Sequence, residues 1–235
     1  MTRVLPSPNR ERLLRTARRL APLLPELVFV GGQMVELLVT DPAGVRVRPT
    51  VHVDVVVRTT TRNVYRVLQQ RLAQLGFTPD GRDGAPVCRM RTVDDLILDV
   101  MPLDEQVLGF TNRWYNLALR TAHPIVLGSD CTISGIAAPV FLATKWQAFS
   151  TRGVEDPMTS HDLEDIITLV AGRVELLNEV TAMDGAARRF IAEATKGFLG
   201  TSGADDVVSG CLPDAPLILG YVDLVMERLR SLSGS

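Results

Sequence analysis

The run Leu27-Val28-Phe29-Val30-Gly31-Gly32-Gln33-Met34-Val35-Glu36-Leu37-Leu38 reads as a short buried strand that ends in two glycines and opens into an amphipathic helix. Backbone N–H groups at the start of a helix have no partner within it, so a phosphate can approach them closely. Glycines also end strands for purely conformational reasons, and the pair alone leaves both readings open. The next run, Arg48-Pro49-Thr50-Val51-His52-Val53-Asp54-Val55-Val56-Val57, is β-branched and contiguous, as a buried strand is. Its period of two sends His52 and Asp54 to one face. A carboxylate beside a phosphate cradle points to a metal ion.

A third segment, Leu96-Ile97-Leu98-Asp99-Val100-Met101, sets one acid among apolar residues. Charged side chains are seldom fully buried without partners, so Asp99 stands at a strand's end or faces a cation. Glycine pair, acid-bearing strand and lone strand Asp, in that order, resemble the nucleotidyltransferase superfamily related to DNA polymerase beta, and within it the AbiEii toxin family. The resemblance continues through Phe141-Leu142-Ala143-Thr144-Lys145-Trp146-Gln147-Ala148-Phe149, Arg152 and Ser160-His161-Asp162-Leu163-Glu164-Asp165-Ile166-Ile167, covering about residues 25–175. One position departs from it: His52 stands where the family pattern has the first Asp of a pair.

The resemblance implies an α+β fold, with an N-terminal mixed β-sheet nucleotidyltransferase core followed by a helical C-terminal half. It also implies metal-dependent transfer of a nucleotidyl group from an NTP to RNA, with a tRNA 3′ end as acceptor, by a toxin held in check by a partner antitoxin. Magnesium is the implied ion, with manganese as its substitute. Asp54 is then the chief metal ligand, His52 and Asp99 complete the metal group, and Asp99 is alternatively the base for the acceptor hydroxyl. Gly31 and Gly32 hold phosphate oxygens, Lys145 contacts the triphosphate, and Arg152, Asp162 and Asp165 belong to the same nucleotide-binding set.

Chemistry alone leaves alternatives beside these roles. Lys145 sits in an apolar, aromatic helical sequence, a costly place for an ammonium without a phosphate or carboxylate partner. Asp162 and Asp165 are three apart and share a helix face, so an ion pair joining two helices explains all three residues equally well. His123 and His161 read as surface or core histidines. His52 removes one negative charge from the metal group, worth about 4 kcal/mol per unit pair at 4 Å and an effective dielectric near 20. Imidazole also favours zinc, copper, iron or nickel over magnesium. Two further readings follow: nucleotidyl transfer to a small hydroxylated compound such as an aminoglycoside, and a catalytically silent module that binds NTP or RNA.

Composition bounds these readings. With 235 residues and 46% hydrophobic content the chain has ample material for a core. No apolar run reaches the roughly 18 residues of a membrane span, and Met1-Thr2-Arg3-Val4-Leu5-Pro6 lacks a signal peptide's apolar centre, so a cytoplasmic location is expected. Cys88, Cys131 and Cys211 are odd in number and widely spaced, which favours neither a disulfide framework nor a cysteine zinc site. A net charge of −2 means that any nucleic-acid surface must be local.

Along the chain, 9–24 reads as a helix with arginines on its outer face, either solvated or placed against RNA phosphates. A turn follows at 41–44, then a helix over 61–76 with Gly76 as its stop. Val87 to Arg91 and the Asp99 strand form a hairpin through 92–95. Short strands at 123–127 and 131–134 lie near the sheet's edge. From Pro139 the pattern turns helical, with helices at 139–150, 160–171, 174–182, 184–199 and 216–232, a connector at 200–203 and a polar tail at 231–235. The expected division is a core over 1–138 and a helical domain over 139–235.

Overall fold

The structure, a computed structural model, describes residues 7–41, 45–59, 61–183, 185–212 and 220–234. It resolves into two compact units, Met1–Glu36 with Pro49–Ile136, and Leu37–Arg48 with Ala137–Ser235.

The first unit is built on a seven-stranded mixed sheet. Its strands are β1 (Leu27–Val30), β2 (Val53–Val57), β3 (Thr78–Pro79), β4 (Arg89–Arg91), β5 (Ile97–Pro102), β6 (His123–Gly128) and β7 (Cys131–Gly135), in the spatial order β3-β4-β5-β2-β1-β7-β6. β2 runs antiparallel to β1 and parallel to β5. Every residue of β1 and β2 is buried, which is why both read as unbroken apolar runs rather than alternating ones. Around the sheet lie α1 (Pro8–Arg19), α3 (Arg62–Gln74), α4 (Glu105–Leu108) and α5 (Tyr115–Thr121). The Tyr65 hydroxyl of α3 donates to the Val100 carbonyl of β5 at 3.0 Å and ties the helix to the sheet.

Three expectations for this unit are corrected by local chemistry. The first helix ends at Arg19 and gives way to a 3-10 helix, Ala21–Glu26, instead of running to Leu24. Pro22 has no N–H to donate and its ring crowds the preceding turn, so an α-helix cannot pass through it. The second strand begins at Val53, not Arg48. At Thr50 the backbone is satisfied by side chains instead of a ladder: its N–H donates to Asn9 Oδ1 at 2.9 Å, and its carbonyl accepts from Gln33 Nε2 at 3.0 Å. Third, the helix after the glycines is a three-residue 3-10 turn, Gly32–Met34, followed by the four-residue α2 (Val35–Leu38). That is too short to build a useful macrodipole. The hairpin, the edge position of β6 and β7, and the stop at Gly76, whose φ is +86°, are as expected.

The second unit is helical: α6 (Ala138–Arg152), α7 (His161–Gly172), α8 (Leu176–Ala182), α9 (Gly185–Leu199), α10 (Ala204–Cys211) and α11 (Tyr221–Ser233). Ser160 caps α7, its hydroxyl accepting from the Leu163 N–H at 3.4 Å. Rings from α6 and α9 make its aromatic centre: Trp146 lies 5.8 Å from Phe149 and 5.9 Å from Phe198, centroid to centroid. Segment 37–41 belongs here because the Thr40 and Asp41 N–H groups both donate to the Gly172 carbonyl, at 2.8 and 2.9 Å. α10 was not anticipated. Its signal was Asp205-Asp206 in the first turn after Gly203, which takes φ +81°. The expected turn residues 42–44, helix residues 184 and 216–219, and tail residue 235 lie outside the described residues. Among the described residues no helix is long and apolar enough to cross a membrane.

Candidate metal centre

Asp54 on β2 and Asp99 on β5 are register partners across a parallel pair, so their side chains leave the sheet on the same face. His52 lies two residues before Asp54, just ahead of β2, and its ring reaches the same group. Its Nε2 is 3.5 Å from Asp54 Oδ2 and 3.9 Å from Asp99 Oδ2. One donor atom from each of the three falls within 4.8 Å of the others, the spacing a single ion requires.

Gly31 shapes the near side of this group. Its backbone, φ +74° and ψ −177°, is in a region open essentially to glycine alone. A Cβ there would collide with the Asp54 carboxylate. The first glycine of the pair is therefore required twice, once by its dihedrals and once by the close approach of Asp54. Gly32 is buried at the start of the 3-10 turn.

Arg89 was not singled out by sequence, although the hairpin register contained it. With Arg91 opposite Ile97, Arg89 stands opposite Asp99. Its Nε donates to Asp99 Oδ1 at 2.8 Å and its Nη2 to Oδ2 at 2.7 Å, a bidentate fork. The carboxylate raises the guanidinium's pKa above its ordinary value. Burial, then the charges of Asp99 and Asp54, push the thiol of Cys88, beside it in sequence, up to about 12.

The donor set fits one divalent ion held first by Asp54, with His52 Nε2 and Asp99 as further donors. It fits magnesium less well than a borderline ion such as zinc. An imidazole replaces an oxygen ligand, and a guanidinium cancels one of the two carboxylate charges. His52 Nδ1 is buried without a hydrogen-bond partner. A ligating histidine usually donates through its second nitrogen, so His52 lacks the support that would fix its ring.

The remaining expected residues gather in the helical unit. Lys145 Nζ lies 3.0 Å from Asp162 Oδ1 and 2.6 Å from Asp165 Oδ2. Arg152 holds Asp162 through Nε at 2.7 Å and Nη2 at 3.1 Å. Arg48 Nε lies 3.3 Å from Glu164 and 3.4 Å from Asp165. Three cations thus face three carboxylates, and the cluster as a set is neutral. Burial works to lower the Lys145 pKa, but Asp165 and Asp162 outweigh it and raise it. Burial likewise works to raise Asp162, and Lys145 and Arg152 overcome it and hold the carboxyl low. This is the geometry of the inter-helix ion pair named above as the alternative for Lys145. Arg152 differs, with a side chain 70% exposed.

The arginines of α1 are also engaged. Arg18 forks onto Asp130 at 2.8 and 3.0 Å, Arg15 and Arg19 reach Asp94 at 3.3 and 3.1 Å, and Arg12 donates to the Thr50 carbonyl. These bonds leave the Arg15 and Arg18 side chains about half exposed.

No protein-family model matches the chain, and no curated protein matches it. Among solved structures, it is similar to an antigenic nucleotidyltransferase-like protein from Paracoccidioides brasiliensis, at 17% identity over 92% of each chain with a TM-score of 0.47. A likeness this faint transfers no fold, substrate or activity.

Proposed function

We propose that the chain is a metal-dependent nucleotidyltransferase that moves NMP from an NTP to a hydroxyl acceptor. The observation that carries the reading is the convergence of Asp54 and Asp99, register partners on β2 and β5, and of His52, just before β2, onto one small group. Nucleotidyl transfer breaks the bond between the α-phosphorus and its bridging oxygen, forms a bond to the acceptor oxygen, and releases pyrophosphate. A divalent ion bound at the centre would gather the triphosphate and offset the charge that builds on the departing pyrophosphate. Asp54 presents a hard oxygen ligand on rigid central sheet, and Gly31 keeps the space beside it clear. Asp99 is the candidate to take the acceptor's proton, once its oxygens are no longer in the Arg89 fork. Arg152, exposed at the rim of the helical unit's charge cluster, is the candidate phosphate contact in that unit.

The resemblance to AbiEii toxins extends this reading to RNA, with tRNA ends as acceptors, and to an antitoxin partner. A second reading, a silent nucleotide-binding module, is favoured by the two features that thin the negative charge, His52 and the Arg89 fork. Incubating the protein with α-labelled NTPs, manganese or magnesium, and either total RNA or small hydroxylated acceptors separates the readings. Label on RNA supports the toxin-like enzyme, and label on a small acceptor supports the other transferase. Nucleotide binding without transfer under any condition favours the silent module.

A further inference from the structure

We propose that Gln33 is a positioning residue for the candidate metal centre: its amide holds the segment that delivers His52, and so sets how well the centre takes an ion that favours nitrogen ligands, such as zinc. The inference rests on the reading of His52, Asp54 and Asp99 as a metal centre. His52 precedes the β2 ladder, which begins at Val53, and its Nδ1 is buried without a hydrogen-bond partner. What is fixed is Thr50, two residues earlier. Its N–H donates to Asn9 Oδ1 at 2.9 Å, and its carbonyl accepts from Gln33 Nε2 at 3.0 Å and from Arg12. Only Val51 and His52 lie between the held Thr50 and the first rung of the ladder, so the His52 backbone is set from both ends.

Gln33 is the member of this clasp whose presence stability does not explain. The residue is 1% exposed, and its Oε1 has no hydrogen-bond partner. A buried amide with one end unbonded costs stability, and an apolar side chain of the same shape can be neutral or better. Arg12 would still hold the Thr50 carbonyl in that case. The bond that the Gln33 amide does make goes to the segment carrying His52. Its place in the chain points the same way. Gln33 belongs to the turn Gly32–Met34, and Gly31, which opens that turn, has no room for a Cβ beside Asp54. The turn therefore abuts one ligand directly and reaches the segment of another through Gln33. Ligand distances hold to within about 0.2 Å in a working metal site, so a small shift of Thr50 carried on to His52 is felt by the ion. Asp54 and Asp99 sit on the ladder as register partners and do not depend on Thr50.

The test is zinc and manganese affinity, with thermal stability, measured by calorimetry on wild type, Gln33→Met, His52→Ala, the double variant Gln33→Met/His52→Ala, Asn9→Ala and Asp54→Asn. Zinc draws on the imidazole, whereas manganese is suited by oxygen donors. Gln33→Met, close to glutamine in shape, is expected to bind zinc about tenfold more weakly, the lower end of what the support of a ligating histidine is worth. Its manganese affinity should change by less than about twofold, and its Tm should stay within about 1 °C of wild type or rise. With His52 already replaced by alanine, the same substitution should change zinc affinity by less than about twofold, because the residue it positions is gone. Asn9→Ala opens the clasp from α1 and should show the same preferential loss of zinc, which carries the test if Gln33→Met does not fold. A merely structural role for Gln33 would lower the Tm of Gln33→Met, weaken both ions alike, or act equally without His52, and any of these overturns the proposal. If His52→Ala and Asp54→Asn lose zinc while Gln33→Met binds it as wild type does, the positioning role falls and the metal centre stands. If wild type binds neither ion, both fall.

Discussion

Replacing Lys145 by alanine separates a cation that holds the helical unit together from one that serves a nucleotide. The ammonium is bonded to Asp162 and Asp165, and Asp165 is 3% exposed. Removing one partner of a buried pair typically costs about 3–5 kcal/mol, because the remaining charge is left without compensation. Arg152 still holds Asp162 and Arg48 still lies near Asp165, so the lower end, about 3 kcal/mol, is expected. For a chain of this size that is a fall in Tm of roughly 6–12 °C, measured by calorimetry at neutral pH. The pH dependence identifies the cause. Asp162 is held below its ordinary value of 3.8, so its contribution is complete above that pH and is lost as pH falls through the depressed folded value. Lys145 is raised above 10.5, so its contribution is complete below that pH and is lost as pH climbs through the raised value. The gap between wild type and Lys145→Ala should therefore be widest between these limits and narrow in acid below 3.8. A Tm change under about 1 °C at neutral pH, together with weakened NTP binding, would refute the structural role and restore the triphosphate contact.

Other substitutions probe the sheet unit. Gly31→Ala places a side chain in a glycine-only conformation, at about 1–3 kcal/mol, and against the Asp54 carboxylate. It should lower manganese affinity more than tenfold while circular dichroism stays near wild type, and unchanged affinity would show that the Asp54 position does not matter. His52→Asp restores a hard oxygen ligand and should raise magnesium affinity at least tenfold, equal to about 1.4 kcal/mol, read by calorimetry. A fall would make His52 a working ligand in its own right. Tyr65→Phe leaves the Val100 carbonyl without its donor and should cost about 1 kcal/mol or slightly more in urea denaturation. No change would mean that the bond adds nothing to the packing of α3 on β5.

The sheet was legible where a strand's pattern is set by burial on both faces, as in Val28-Phe29-Val30 and Val55-Val56-Val57. His52, Asp54 and Asp99 could be placed together because alternation puts the first two on one face, and an acid inside each of two apolar strands asks for a partner. What the sequence hid was competition from side chains. Gln33 and Asn9 took the Thr50 backbone and shortened β2, and Pro22 turned the end of α1 into a 3-10 helix. α4 was missed although Asp104 and Gly109 bracket it as caps, because four residues are too few to show a helical period. Arg89 was missed for a different reason. Its hairpin was expected, but the cross-strand register was not counted out, and only the register shows which residue faces Asp99. The Lys145 cluster was legible as a set, while the choice between phosphate contact and ion pair depends on distances that spacing does not supply.

The central claim is that Asp54 holds a divalent ion which in turn holds a nucleotide. Calorimetric titration with a non-hydrolysable nucleoside triphosphate, with manganese and with chelator, on wild type and Asp54→Asn, tests it most directly. Wild type should bind at least tenfold more tightly with manganese than with chelator, and Asp54→Asn should bind equally weakly in both. Equal affinity for wild type with and without the ion, or a manganese gain that survives in Asp54→Asn, would contradict the account.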